Sequence, residues 1–217
     1  MARTSPATSP QKSPPPGGVP RFLLAAGILA GLVVLGTGGY IALALRDNPH
    51  GVAGSPLASA IGGPFQLVDQ NGKTVTDADL KGKWSLIYFG YTHCPDACPT
   101  ALNDISIALG ELGAKRDAVR PVFITVDPER DTSEALKSYV TAFDAPILAL
   151  TGTPAQVAQA AKAYRVYYAK HPEEGGDYSM DHSSVIYVMD PQGRFTATFT
   201  HESSPEQIAD RLKKLVG

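Results

Sequence analysis

The pattern of apolar and polar positions divides the chain into stretches of different texture. From Pro64 onward it reads as a folded domain. Phe65 to Val68 and Thr74-Val75 flank Asn71-Gly72, a dipeptide that favours the φ > 0 turns of a hairpin. Trp84 to Tyr91 (WSLIYFGY) is a continuous apolar and aromatic run, suited to a strand buried on both faces. Leu102, Ile105, Leu109 and Leu112 recur at helical spacing within Thr100 to Lys115. Pro121 to Val126 predicts a second buried strand, and Asp131-Thr132-Ser133-Glu134 opens a helix carrying Leu136, Tyr139, Val140 and Phe143. A short strand is expected at Ile147 to Leu150, then a helix at Pro154 to Tyr164 started by Thr153 and Pro154. Ser184 to Met189 and Phe195 to Phe199 read as strands joined by the turn Asp190-Pro191-Gln192-Gly193. Pro205 to Val216 closes the chain as a helix with Ser204 as N-cap. Strands alternating with helices call for parallel pairs and crossovers, with antiparallel edges from the hairpins, which is an α/β fold with a mixed sheet.

The stretches before this domain differ. Residues 1–21, rich in Pro, Ser and Gly, have almost nothing to bury and are expected to be a disordered cytoplasmic N-terminus. Residues 22–45 contain no charged residue and are bracketed by Arg21 and Arg46. As a helix they span about 36 Å, enough to cross a hydrocarbon core of about 30 Å. Ala42-Leu43-Ala44 resembles a signal-peptidase site, but the run exceeds an ordinary signal-peptide core, so an uncleaved transmembrane anchor is expected. Residues 46–63 form a Gly/Ala/Ser/Pro-rich tether, and 64–217 the exported domain.

Charge orients the anchor. Arg3, Lys12 and Arg21 precede it with no acid among them, which keeps the N-terminus in the cytoplasm. All 21 acidic residues but only 15 of the 19 basic ones follow residue 46, leaving the exported part at net charge −6. A nucleic-acid partner is therefore excluded, since phosphate binding wants a basic face. With too few arginines for a transit peptide, the N-terminus points to a bacterial inner membrane, with the domain in the periplasm.

The only two cysteines, Cys94 and Cys98, lie in THCPDACPT, directly after the first buried strand and where a helix begins near Pro99. Ligands of open α/β sheets gather at that strand end, and a helix N-terminus favours thiolate over thiol. A purely structural disulfide is a weak competitor because so short a loop gains little from closure. A reversible disulfide remains feasible at this spacing. Two thiolates are too few for a structural zinc site, but with one imidazole they suit Cu(I). Five histidines are available: His50, His93, His171, His182 and His201. His50 falls in the tether, His201 after the last strand, His171 in a loop, and His182 on a loop just before a buried strand. Spacing alone does not choose among them.

FGYTHCPDACPT, ITVDPERDT and DHSSVIYVMD closely resemble the SCO/SenC family, copper chaperones of cytochrome c oxidase assembly, in register from about Phe65 to the C-terminus. The resemblance implies a thioredoxin-like fold and copper ligands at Cys94, Cys98 and His182. It also implies delivery of copper to the dinuclear CuA site of oxidase subunit II, or reduction of that site's cysteines, after loading by an upstream copper donor. Asp127 to Asp131 also matches the family: its acids either shape the metal's surroundings or a docking surface, or simply cap a helix through Asp131. Asp96 and Asp181 flank the ligands and are candidates to tune charge or orient His182. The enzymatic alternative, a thiol–disulfide reductase with Cys94 and Cys98 as its redox pair, lacks two marks of thioredoxin-type enzymes, namely CxxC spacing and a proline opposite the thiols. A peroxidase fits the fold, but nothing in the sequence requires one.

Overall fold

The computed structural model describes residues 61–200 and 202–217. The expected N-terminus 1–21, the anchor 22–45, nearly all of the tether, His50 and His201 lie outside the described residues. Among those described, no helix is long and apolar enough to cross a membrane.

Strands β1 (Gln66–Asp69) and β2 (Thr74–Thr76) form the expected hairpin. Asp69 Oδ1 closes its turn by accepting from the Asn71 and Lys73 amides at 2.8 and 2.9 Å, and Gly72 takes φ +81°. The apolar run becomes β3 (Trp84–Gly90), buried at every position except Trp84. It pairs in parallel with β4 (Val119–Thr125), which pairs in parallel with β5 (Leu148–Thr151). On its other side β3 pairs antiparallel with β8 (Val185–Met189), which continues to β9 (Phe195–Thr200). The seven strands lie in the order β2-β1-β5-β4-β3-β8-β9. A second hairpin, β6 (Tyr168–Pro172) with β7 (Tyr178–His182), forms a separate two-stranded sheet.

Side chains on β3 alternate between the two faces of the sheet. Tyr88 and Gly90 face helix α1 (Ala97–Glu111), where both meet the Cys98 sulfur. Phe89 points the other way, onto Tyr164 at the end of helix α3 (Pro154–Ala163). Helix α2 (Ser133–Val140) is capped by Thr132, and α4 (Pro205–Leu215) by Ser204 in a capping box with Gln207. The result is a mixed sheet flanked by helices, as the pattern predicts.

Three expectations need correction. Helix α1 starts at Ala97, close to Pro99 and with Cys98 in its first turn as expected, but it ends at Glu111 rather than Lys115 and is followed by a 3-10 segment at Gly113–Ala118. Pro99 is tolerated near the start of α1 because first-turn amides have no intrahelical acceptor to lose. His171 and His182 sit on strands rather than loops, because the β6–β7 hairpin escaped the sequence reading. Asp131 is not the cap of α2; Thr132 is.

Candidate metal centre

The site follows from where β3 stops. Beyond Gly90 the chain turns through Tyr91, whose carbonyl accepts from the Cys94 amide at 3.3 Å. Helix α1 begins with Asp96 at its N-cap, but the Asp96 side chain makes no capping bond to the helix backbone. Its Oδ1 accepts from the Thr100 hydroxyl at 3.3 Å instead. One orphan amide, that of Cys98, donates to Cys94 Sγ at 3.4 Å. Cys94 thus faces the positive end of the helix, as the spacing predicts.

The histidine arrives by sheet topology. Because β8 runs antiparallel to β3 (Tyr88 opposite Ile186), the residues just before β8 lie at the carboxyl end of β3. His182 is therefore delivered to the cysteines from 84 residues away, its Nε2 at 3.4 Å from Cys98 Sγ. The donor atoms of Cys94, Cys98 and His182 all lie within 4.8 Å of one another. The rings of Tyr88 and Tyr91 stand edge-on to the imidazole, each with its centroid 5.9 Å away. Cys98 is fully buried, Cys94 and His182 are partly exposed, and neither cysteine is in a disulfide.

The two thiols are not equivalent. Cys94 is pulled down to about 3 by the hydrogen bond from Cys98, against the opposing effect of burial, with His182 and the local backbone amides helping. Cys98 is pushed up, because it shares its proton with the Cys94 thiolate and because it is buried. Cys94 is therefore the standing thiolate, and Cys98 stays a thiol until something displaces its proton. Iodoacetamide at about pH 6 should alkylate Cys94 and spare Cys98, at a rate nearly flat from about pH 5 to 8, whereas an ordinary thiol of pKa about 8.5 gains roughly tenfold per unit. Peptide mass mapping would check this; equal labelling of both cysteines would refute the asymmetry.

The other candidates fall elsewhere. His93 is exposed, with Nδ1 at 3.1 Å from the Thr92 hydroxyl. His171 pairs with Asp181 across the β6–β7 hairpin, Nε2 to Oδ2 at 2.9 Å, so Asp181 does not orient His182. His182 Nδ1 lies 3.3 Å from the Ser183 carbonyl instead. Asp131 does more than the sequence disclosed. It is fully buried and accepts from the Thr92 amide (3.0 Å) and hydroxyl (2.6 Å) and from the Thr125 hydroxyl (2.6 Å). These bonds pin the loop leading to Cys94 onto the end of β4, although burial still raises the Asp131 carboxyl above its ordinary range. The missed hairpin did leave one signal, the Gly175-Gly176 pair between Tyr168–His171 and Tyr178–His182.

Two sulfurs and one imidazole form a soft, three-donor set that fits a monovalent copper ion better than a hard cation. The family profile of SCO1/SenC matches residues 53–217. The chain belongs to the SCO1/SenC family. Among curated relatives, the mitochondrial SCO1 homolog 1 of Arabidopsis thaliana is 41% identical over 173 residues, covering 78% of this chain and 52% of that protein. The chain thus spans about half the length of that relative. Among solved structures, copper-bound ScoI of Bradyrhizobium japonicum is 54% identical with a TM-score of 0.68, covering 71% of this chain and 99% of that one. BsSco, a member of the Sco family of cytochrome c oxidase assembly proteins in which a disulfide switch was identified, is 27% identical with a TM-score of 0.57, covering 75% and 94%. The thioredoxin-like sheet and flanking helices of this chain match those Sco structures.

Proposed function

We propose that this SCO1/SenC protein is a copper metallochaperone that holds copper through Cys94, Cys98 and His182. It passes the ion to the CuA site of cytochrome c oxidase subunit II during oxidase assembly, after an upstream donor has loaded it. In this reading residues 22–45 anchor it in the inner membrane, with the domain in the periplasm. The carrying observation is the convergence of three soft donors within 4.8 Å at the carboxyl end of β3. The copper-bound relative and the oxidase-assembly role of the family support it. Partial exposure of Cys94 and His182 suits handover, since an acceptor's ligand can approach from solvent while Cys98 holds the ion from below. Binding should release the Cys98 proton, because thiolate rather than thiol is the ligand.

The thiol asymmetry favours a second reading. A thiolate at Cys94 can attack a disulfide of the CuA site, and Cys98 can then resolve the mixed disulfide, giving a reductase that leaves its own cysteines oxidised. Opposite the thiols, however, stands His182, where thioredoxin-type enzymes keep proline. Copper stoichiometry and absorption of the reduced full-length chain, beside its His182→Ala variant, separate the two. One equivalent of copper with a thiolate-to-copper band, lost or weakened in His182→Ala, is the expected result. Copper retention indifferent to His182, or none at all, would transfer the function to the reductase.

A further inference from the structure

The β6–β7 hairpin supplies His182, yet among the described residues its strands form a ladder with each other and none with the seven-stranded sheet. Something else must hold it in place. Met180 tucks its side chain into the core, and the Tyr91 side chain bonds the Met180 backbone. Most of the remaining directional contacts converge on Arg130, in the loop after β4. Its Nε donates to Oδ2 of the buried Asp127 at 2.5 Å. Its Nη1 donates to the Tyr178 carbonyl at 2.9 Å and to Asp177 Oδ1 at 3.1 Å, both at the start of β7. The guanidinium also lies over the Tyr178 ring at 3.7 Å, and the Tyr178 hydroxyl donates back to Asp127 Oδ1 at 2.8 Å. Lys170 of β6 also stands 3.7 Å from the centroid of the same ring, and its ammonium pairs with Glu129 at 2.7 Å. Arg130 reaches inward as well, 5.9 Å from the ring of Tyr91, the residue that stands edge-on to His182.

We propose that Arg130 is a positioning residue for the metal centre: with Asp127 and Tyr178 it clamps the β6–β7 hairpin to the body, and so fixes the His182 imidazole against Cys98. The planar fork is essential to this role. It meets Asp127 along one edge and the Tyr178 carbonyl along another while stacking on the ring, a geometry no ammonium can reproduce. Charge alone would satisfy Asp127 but leave the hairpin's backbone unheld. The clamp also gives the DPERD segment a role that neither helix capping nor a docking surface covers.

The inference rests on His182 being a copper ligand, and its test reports on the clamp with and without metal. Arg130→Lys keeps the charge and removes the fork; Tyr178→Phe removes only the hydroxyl bond to Asp127 and serves if the first variant does not fold. In the metal-free, reduced full-length chain, NOEs between the His182 ring and the rings of Tyr88 and Tyr91 should be present in the unsubstituted protein and weakened or lost in the variants. In Cu(I) competition with a chelator, each variant should bind about tenfold more weakly, the scale on which groups supporting a metal ligand act. On a His182→Ala background the same substitutions should cost nothing further. Persisting NOEs, or an equal affinity loss on both backgrounds, would overturn the clamp. Should the unsubstituted chain itself hold no copper, the metal reading fails while the NOEs still decide the clamp.

Discussion

Cys98→Ser is expected to lower Cu(I) affinity by more than about a hundredfold, since even the groups that merely support a metal ligand are worth about 10–100-fold. The sulfur is fully buried, 3.4 Å from His182 Nε2 and 4.0 Å from the Tyr88 hydroxyl that donates to it. A serine oxygen there is hard, keeps its proton at neutral pH, and is too short to reach the same point. Only Cys94 and His182 would remain, both partly exposed, and both open to competing ligands from water. Fold content should be retained, because the rest of the α1 face, including Leu102, Ile105 and Leu109, is untouched. Competition against a Cu(I) chelator, with circular dichroism as the folding control, measures both. Affinity within about tenfold of the parent, a smaller loss than even a supporting group causes, would remove Cys98 from the ligand set.

Gly90→Ala should have the second-largest effect and reach the metal centre through packing alone. A Cβ at Gly90 would stand 2.7 Å from Cys98 Sγ, 2.9 Å from Phe123 Cε2 and 3.1 Å from Tyr88 Cε1. Both rings are fully buried and have nowhere to swing, so the sulfur or the strand must move. Overpacking of this kind costs about 1–3 kcal/mol. For a domain of this size that is a fall in Tm of roughly 3–10 °C. Because the displaced atom is a donor, copper affinity should fall as well, unlike the outcome of an alanine placed elsewhere on the sheet. Thermal unfolding of the metal-free chain, run beside the chelator competition, checks both parts. An unchanged Tm with unchanged affinity would show that the close approach of sulfur to strand is not required.

How much of this could be read from the chain depends on the range of each interaction. The run Trp84 to Tyr91 betrayed a central strand because a strand buried on both faces needs apolar residues at nearly every position. Asn71-Gly72 betrayed the first hairpin, and Thr153 and Ser204 betrayed two helix starts, because turns and caps are closed by residues within three or four positions. The β6–β7 hairpin went unseen for the opposite reason. Its strands carry Lys170, His171 and Asp181 toward solvent, bury only Met180 fully, and so lack the apolar alternation that marks a half-buried strand. Asp131, beside the true cap Thr132, looked like a capping residue because its real partners, Thr92 and Thr125, come from two other segments.

The sequence by itself determined the α/β class, the placement of most strands and helices, and the pair of cysteines at the end of a buried strand, since each follows from local periodicity, turn chemistry or adjacency. Through its resemblance it also named His182. Why His182 rather than His93 or His171 meets the sulfurs was decided only by the tertiary structure. The antiparallel pairing of β8 on β3 brings the chain before β8 back to the cysteines, the Arg130 contacts settle the hairpin there, and Asp181 turns to His171 instead. Contacts spanning 84 residues are set by which strands pair and in what register, and no local pattern of side chains encodes that.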